Sequence, residues 1–325
     1  MIVVWRVTEL CNLACAFCAF DRRLDRPRRV AGREEVLAFG RVLGDYQRST
    51  GERVMVSWIG GEPLLWPAVF EVSRQLQRDH GLSISATTNG TTLHRANVQR
   101  QILETFSELT LSVDGPAAFH DSVRGAPGNW AQLQRATRAL ADARDELGVK
   151  GRPLRLRANT VLMHNNLPMF PALCHTLADW GVVEITFNQL GGRDRPEFFP
   201  SHRLRPEDAA QLVALVPPLR DALAQRGVRL CGSVAYLKRI DASARNQSIE
   251  VANCAPGERF LFLDESGRLA PCSFSLDEWS VPMAELSSAD DLVALPQRFA
   301  ALRQHQSALA CSDCPSTQVF PKFTA

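Results

Sequence analysis

An α/β fold on a parallel sheet is predicted by three observations. Short apolar runs alternate with longer amphipathic stretches from Ile2 to Asn188, the pattern of strand–helix–strand units. Several runs end in glycine-bearing segments, Gly60-Gly61-Glu62-Pro63, Asn89-Gly90, Asp114-Gly115 and Gly191-Gly192, where backbone can approach a ligand closely. The chemistry-bearing segments fall just after predicted strands, and α/β sheets bind ligands beyond the carboxyl ends of their strands.

The elements follow in order. Residues 2–7 read as a buried strand leading into a cysteine-bearing loop, and 21–29 as a charged loop with five arginines. A helix is expected over 33–49, a strand over 54–59, a helix over 67–80 and a strand over 83–87. Strands over 109–113, 154–163 and 183–188, with a helix over 129–146, complete six strands whose ends share one rim. The pattern then changes. Residues 205–226 read as a helix interrupted at Pro217-Pro218, 260–263 and 269–271 as a hairpin turning at Asp264-Glu265-Ser266-Gly267, and 289–305 as a last helix.

The chain has 325 residues, 45% hydrophobic and 22% charged, which excludes a disordered or fibrous protein. Its 37 basic and 35 acidic residues nearly cancel, so no general attraction to nucleic acid is expected. Only three lysines occur, Lys150, Lys238 and Lys322, so arginine carries the positive charge. No apolar run reaches the roughly 18 residues of a membrane span, and Met1-Ile2-Val3-Val4-Trp5-Arg6 lacks the basic start and apolar core of a signal peptide. A cytoplasmic protein with no membrane partner is expected. Its nine cysteines then read as metal ligands or catalytic groups instead of disulfides.

Cys11, Cys15 and Cys18 form a C-x3-C-x2-C run. Three thiolates this close suit a loop around a cube-shaped iron–sulfur cluster, with one iron left open. Zinc is the alternative, but it prefers four closed ligands, and no histidine precedes His80. Cys254 and Cys272 lie upstream of a Cys311–Cys314 pair and suggest a second, metal-stapled unit.

These residues resemble the radical S-adenosylmethionine (SAM) superfamily. The match is Cys11-Asn12-Leu13-Ala14-Cys15-Ala16-Phe17-Cys18, then Gly60-Gly61-Glu62-Pro63, Asn89-Gly90, Ser112-Val113-Asp114-Gly115, His120-Asp121 and Arg124-Gly125, in that order. Cys254, Gly267, Cys272 and Cys311–Cys314 resemble the twitch domain, a shortened relative of the SPASM domain. The resemblance implies a partial (β/α)6 TIM-like barrel over 1–203, a linking helical segment over 204–249 and a small auxiliary-cluster domain over 250–325.

The resemblance also implies the chemistry. A 4Fe-4S cluster on Cys11, Cys15 and Cys18 binds SAM and reduces it to a 5′-deoxyadenosyl radical that abstracts hydrogen from a substrate carbon. Gly60, Gly61 and Glu62 would receive the SAM amino group. Ser112, Asp114 and Arg124 would serve its ribose and carboxylate, Asn89 its ribose, and Phe17 with Asn188 its adenine. Each has a plainer reading: Glu62 as a helix cap, Ser112 and Asp114 as turn residues, Arg124 as an ion pair, Asn89 as a turn residue, Phe17 as partly core. An auxiliary 4Fe-4S cluster on Cys254, Cys272, Cys311 and Cys314 would accept an electron, giving net oxidation by dehydrogenation or cross-linking. Alternatively Cys231 donates hydrogen and the enzyme is an epimerase. Outside enzymes, the rival is a zinc-binding adaptor on a degenerate barrel. Cys174 reads as core.

The substrate is expected to be a ribosomal peptide or a small sugar-like natural-product intermediate, contacted by residues 21–29 and 191–202, with Arg193, Arg195 and Glu197 as candidate partners. Because the cysteine run begins at residue 11, no fused peptide-recognition domain is expected before it. That shifts weight towards a small substrate or a peptide presented by a separate protein. An external one-electron donor such as flavodoxin or ferredoxin is implied.

Overall fold

The computed structural model describes residues 1–147 and 153–324. They fall into two compact units. The first comprises Met1–Cys11, Arg26–Thr87 and Ser248–Ser316; the second comprises Asn12–Asp25, Thr88–Gln247 and Thr317–Ala325.

In the first unit, β1 (Ile2–Thr8), β2 (Met55–Gly60) and β3 (Ser83–Thr88) run parallel, with α1 (Arg33–Thr50) and α2 (Val69–His80) as crossovers. The alternation of β1 buries Val3, Trp5 and Val7. Trp5 lies in register with Trp58 of β2, and its ring sits 5.7 Å from Phe39 of α1 and 5.8 Å from Trp58. Such aromatic pairs add about 0.5–1.5 kcal/mol beyond the area they bury. Helix α1 starts with Glu34 and Glu35 and stops at Gly51 in a left-handed conformation, charges and cap that suit the helix dipole.

The C-terminal part of this unit holds β8 (Phe260–Leu263), β9 (Arg268–Ala270), α10 (Leu276–Trp279), β10 (Val281–Pro282) and α11 (Ala289–His305). The expected hairpin is β8–β9. It belongs to the same sheet as β1, because β8 pairs parallel to β1 from Ile2↔Phe260 to Trp5↔Leu263. The order is β10-β9-β8-β1-β2-β3.

The second unit carries α3 (Ala96–Thr105), β4 (Glu108–Ser112), α4 (Ala117–Arg124), α5 (Asn129–Leu147), β5 (Arg155–Leu162), α6 (Phe170–Asp179) and β6 (Glu184–Gln189). After these come α7 (Phe199–His202), α8 (Pro206–Ala224), β7 (Arg229–Leu230) and α9 (Val234–Ala244). Strands β4-β5-β6-β7 are all parallel. The α/β class with a mostly parallel sheet is therefore as expected. Residues 204–249 do more than link: they supply β7 to the sheet. Helix α8 also runs through Pro217 and Pro218 without a break. Leu212, Val216, Leu219 and Leu223 are buried on both sides of the prolines, and their burial, about 1.5–3 kcal/mol each, offsets a cost of about 3 kcal/mol for each of the two prolines.

Candidate active site

In the first unit, the end of β1 meets the end of β2. Gly61 N donates to Thr8 O at 2.8 Å, and Glu62 N to Leu10 O at 2.8 Å. A Cβ on Gly60 would lie 2.2 Å from Thr8 O, and one on Gly61 would lie 2.2 Å from Leu10 O. Gly60 also has φ +155°. Both glycines are thus required by the backbone leading to Cys11. Glu62 is fully buried, and its Oε1 accepts from Leu64 N at 3.1 Å, capping the short turn Pro63–Leu65.

In the second unit, the cysteine loop is held by the end of α4. Ala14 N donates to Arg124 O at 3.3 Å and Ala16 N to Val123 O at 3.2 Å. Cys15 Sγ lies 3.9 Å from Arg124 O. The Arg124 guanidinium is itself buried and committed to Asp114, with Nε and Nη2 both 2.8 Å from Oδ2. Its Cζ stands 5.7 Å from the centre of the Phe17 ring. Asp114 also accepts from Val161 N at 2.9 Å, so one carboxylate joins α4 to β5. Next to it, burial keeps His120 below the ordinary histidine range; its Nδ1 faces Asp114 N. Asn89 Nδ2 donates to Asn12 Oδ1 at 3.0 Å, so this turn residue braces the cysteine loop. Ser112, half-buried at the end of β4, lies in register with Asn159.

The two loops expected to meet substrate are joined. Asp21 is buried beside Arg23 and Arg195, with Arg195 Nη1 3.1 Å from Oδ2. The Arg23 hydrogen bond, with help from Arg195, brings the Asp21 carboxyl down to about 2. Arg195 also binds Glu197.

The second cysteine group lies within the first unit. Cys254, Cys272 and Cys311 are half-buried and Cys314 is buried, all as free thiols. Burial first, then the neighbouring Cys272, Cys314 and Cys254, push the Cys311 thiol up to about 11. Cys254, Cys272 and Cys314 thus lie close enough to Cys311 to oppose its ionisation. Arg303 Nη1 donates to Cys254 Sγ at 3.4 Å. Among the described residues, no three His, Cys, Asp or Glu side chains stand in position to hold a metal ion.

Cys231 follows β7 and is fully buried, its Sγ 3.6 Å from Phe323 O. Burial, reinforced by Glu184, raises its pKa. Cys174 is core, as expected. Asn188 Oδ1 accepts from Lys322 Nζ at 2.8 Å. Lys322 is the residue that the sequence reading missed. Its signal was rarity, since it is one of three lysines in the chain.

Comparison with known proteins matches residues 5–163 to the Radical SAM superfamily. AdoMet-dependent heme synthase of Nitratidesulfovibrio vulgaris is 23% identical over 285 residues, covering 84% of this chain and 73% of the relative. Mycofactocin maturase MftC of Mycobacterium ulcerans is 25% identical over 317 residues, covering 96% and 79%. The crystal structure of Streptococcus suis SuiB bound to precursor peptide SuiA has a TM-score of 0.67 at 14% identity, covering 98% of this chain and 70% of that one. The likeness shows the fold, an α/β partial TIM-like barrel. No helix among the described residues is long and apolar enough to cross a membrane.

Proposed function

Given that residues 5–163 are a radical SAM domain, we propose that this enzyme carries out an oxidative modification of a peptide or a small natural-product intermediate. The family implies SAM and a 4Fe-4S cluster, which together supply a 5′-deoxyadenosyl radical able to take hydrogen from an unactivated carbon. Cys11, Cys15 and Cys18 are the cluster ligands by their spacing. By motif position, Gly60, Gly61 and Glu62 receive the SAM amino group, while Asn89, Ser112, Asp114 and Arg124 surround its ribose and carboxylate. The Asp114–Arg124 pair shapes the cysteine loop, and Phe17 and Asn188 border the adenine.

What supports net oxidation is the set of four cysteines, Cys254, Cys272, Cys311 and Cys314, of which the other three influence Cys311, with Arg303 against Cys254. Four cysteines would close an auxiliary cluster with no open iron, suited to accepting an electron from the substrate radical. A peptide substrate is supported by two named relatives. MftC is a maturase whose match spans 96% of this chain, and SuiB binds a precursor peptide. Arg195 and Asp21, which tie the two loops together, would shape the substrate entrance. A one-electron donor such as flavodoxin or ferredoxin would supply the reducing electron.

The test is iron and sulfide content after anaerobic reconstitution, with 5′-deoxyadenosine assayed in the presence of dithionite and SAM. Two four-iron clusters give about eight irons per chain. The triple variant Cys11→Ala/Cys15→Ala/Cys18→Ala is expected to keep about four and form no deoxyadenosine. Cys311→Ala/Cys314→Ala is expected to keep about four and still form it. Wild type with only about four irons would remove the auxiliary cluster and the argument for oxidation. Zinc with no deoxyadenosine would leave only the adaptor reading.

A further inference from the structure

A buried lysine stands on one face of the second unit's sheet with no ion-pair partner among the described residues. Lys322 is 5% exposed. Its Nζ donates to Asn159 Oδ1 and Asn188 Oδ1, both at 2.8 Å. No carboxylate of the described residues lies within ion-pair distance of it. The carboxylate that influences it is Glu184, which is already bound by Arg155, Arg157 and Arg229. Buried charges are ordinarily paired, because an isolated one forfeits its hydration.

The two amides are oriented by their partners. An ammonium can only donate, so the atom facing it on each asparagine is oxygen. Asn188 Oδ1 also lies 3.4 Å from Tyr236 Oη, and Asn159 Oδ1 accepts from Thr186 Oγ1 at 3.0 Å. Both oxygens are therefore occupied, and the remaining groups on Lys322, Asn159 and Asn188 are N–H donors. Asn159 and Asn188 are half-buried and share the β5–β6 face opposite Leu156 and Ala158. Asn159 is in register with Ser112 on one side and Thr186 on the other.

The lysine is fixed by its own backbone. Gly232 N donates to Thr324 O at 2.8 Å, and Ser233 N to Pro321 O at 3.3 Å. The Phe323 ring lies 5.0 Å from Lys322 Nζ and 5.2 Å from Arg157 Cζ. Arg157, Glu184 and the Cys231 thiol are the titratable or charged groups facing it. Burial, then Arg157, hold the ammonium down to about 7.

We propose that Lys322, Asn159 and Asn188 form an anion site that receives a carboxylate of the molecule being modified. This deepens the proposed function and rests on it for the identity of the ligand as substrate. Lys322, Asn159 and Asn188 turn only donors toward it, so these three groups favour a carboxylate over its neutral amide. A carboxylate seated there is anchored beside Ser112, with the carbon it bears held at a fixed place.

The test uses the reconstituted holoenzyme with lysine labelled at Cε and Nζ, which gives three signals for three lysines. Lys322→Arg removes one signal. Lys150→Arg and Lys238→Arg identify the other two if the first variant does not fold. Acetate is titrated at constant ionic strength, with acetamide as its neutral counterpart and SAM present at saturation. The expected result is a saturable shift of the Lys322 signal alone. Its titration midpoint should rise by about one pH unit, a tenfold preference of acetate for the ammonium form, and acetamide should do nothing. An unmoved Lys322, or equal shifts at all three lysines, overturns the site. If SAM alone moves Lys322 and abolishes the acetate response, the carboxylate is SAM's own and the substrate assignment is overturned. Deoxyadenosine formation is measured in parallel: its absence would sink the radical reaction and leave the acetate result standing.

Discussion

Replacing Arg124 with methionine should destabilise the protein and loosen its hold on iron. The guanidinium donates one hydrogen bond of 2.8 Å from Nε to Asp114 Oδ2, with Nη2 2.8 Å from the same oxygen as an ion pair, and the two side chains are 8% and 0% exposed. Hydrogen bonds to charged groups contribute about 1.5–3 kcal/mol each. Removing one partner of a buried pair leaves the other charge uncompensated, at about 3–5 kcal/mol. Arg124→Met should therefore lose about 3–5 kcal/mol, read as a lower guanidinium midpoint at unchanged slope. Asp114→Asn should lose a comparable amount, because it leaves the buried Arg124 guanidinium uncompensated although the amide oxygen still accepts from Val161 N. The double variant should fall short of the sum by at least about 1 kcal/mol. Iron should dissociate faster from Arg124→Met, since Arg124 O holds Ala14 N and approaches Cys15 Sγ. A loss below about 1 kcal/mol with additive singles is the behaviour of an exposed pair and would refute the reasoning.

Three further outcomes are expected. Gly61→Ala places a methyl 2.2 Å from Leu10 O, so it should cost about 1–3 kcal/mol and lower iron retention, both readable after reconstitution. Asp21 has its carboxyl at about 2, below the ordinary 3.8, so its stabilisation is complete above the ordinary value and is lost as pH falls through about 2. The gap in stability between wild type and Asp21→Asn should hold from neutral pH down to about 5 and then shrink below about 4; a gap that widens on acidification contradicts it. Cys231→Ala should leave deoxyadenosine formation intact, and loss of stereochemical inversion in the product would make the enzyme an epimerase with Cys231 as donor.

Much of the fold was legible because strands such as β5 bury every second residue from Leu156 to Leu162, and α11 has a sequence-visible capping box, Ser288 with Asp291. Helix α4 escaped notice because Pro116 and Gly125 bracket a segment shorter than the usual amphipathic repeat; its burial of His120 and Arg124 depends on tertiary partners. The cysteine and glycine motifs marked candidate residues by spacing alone. The pairing of Arg124 with Asp114, and of Asp21 with Arg195, was not legible, because each joins residues distant in sequence. Lys322 was the hardest, since a lysine in a short tail ordinarily faces water, and only the folded tail shows its burial.

The parallel pairing of β1 with β8 has a consequence for synthesis. Its first contact joins Ile2 to Phe260, so one edge of the earliest strand has no native neighbour until most of the chain has been made. At about 5–20 residues per second, that edge stays open for on the order of ten to fifty seconds, presenting unpaired N–H and C=O groups that other nascent chains can capture. A chaperone that masks the N-terminal strand during this interval should raise the yield of folded protein more than any change to the mature surface.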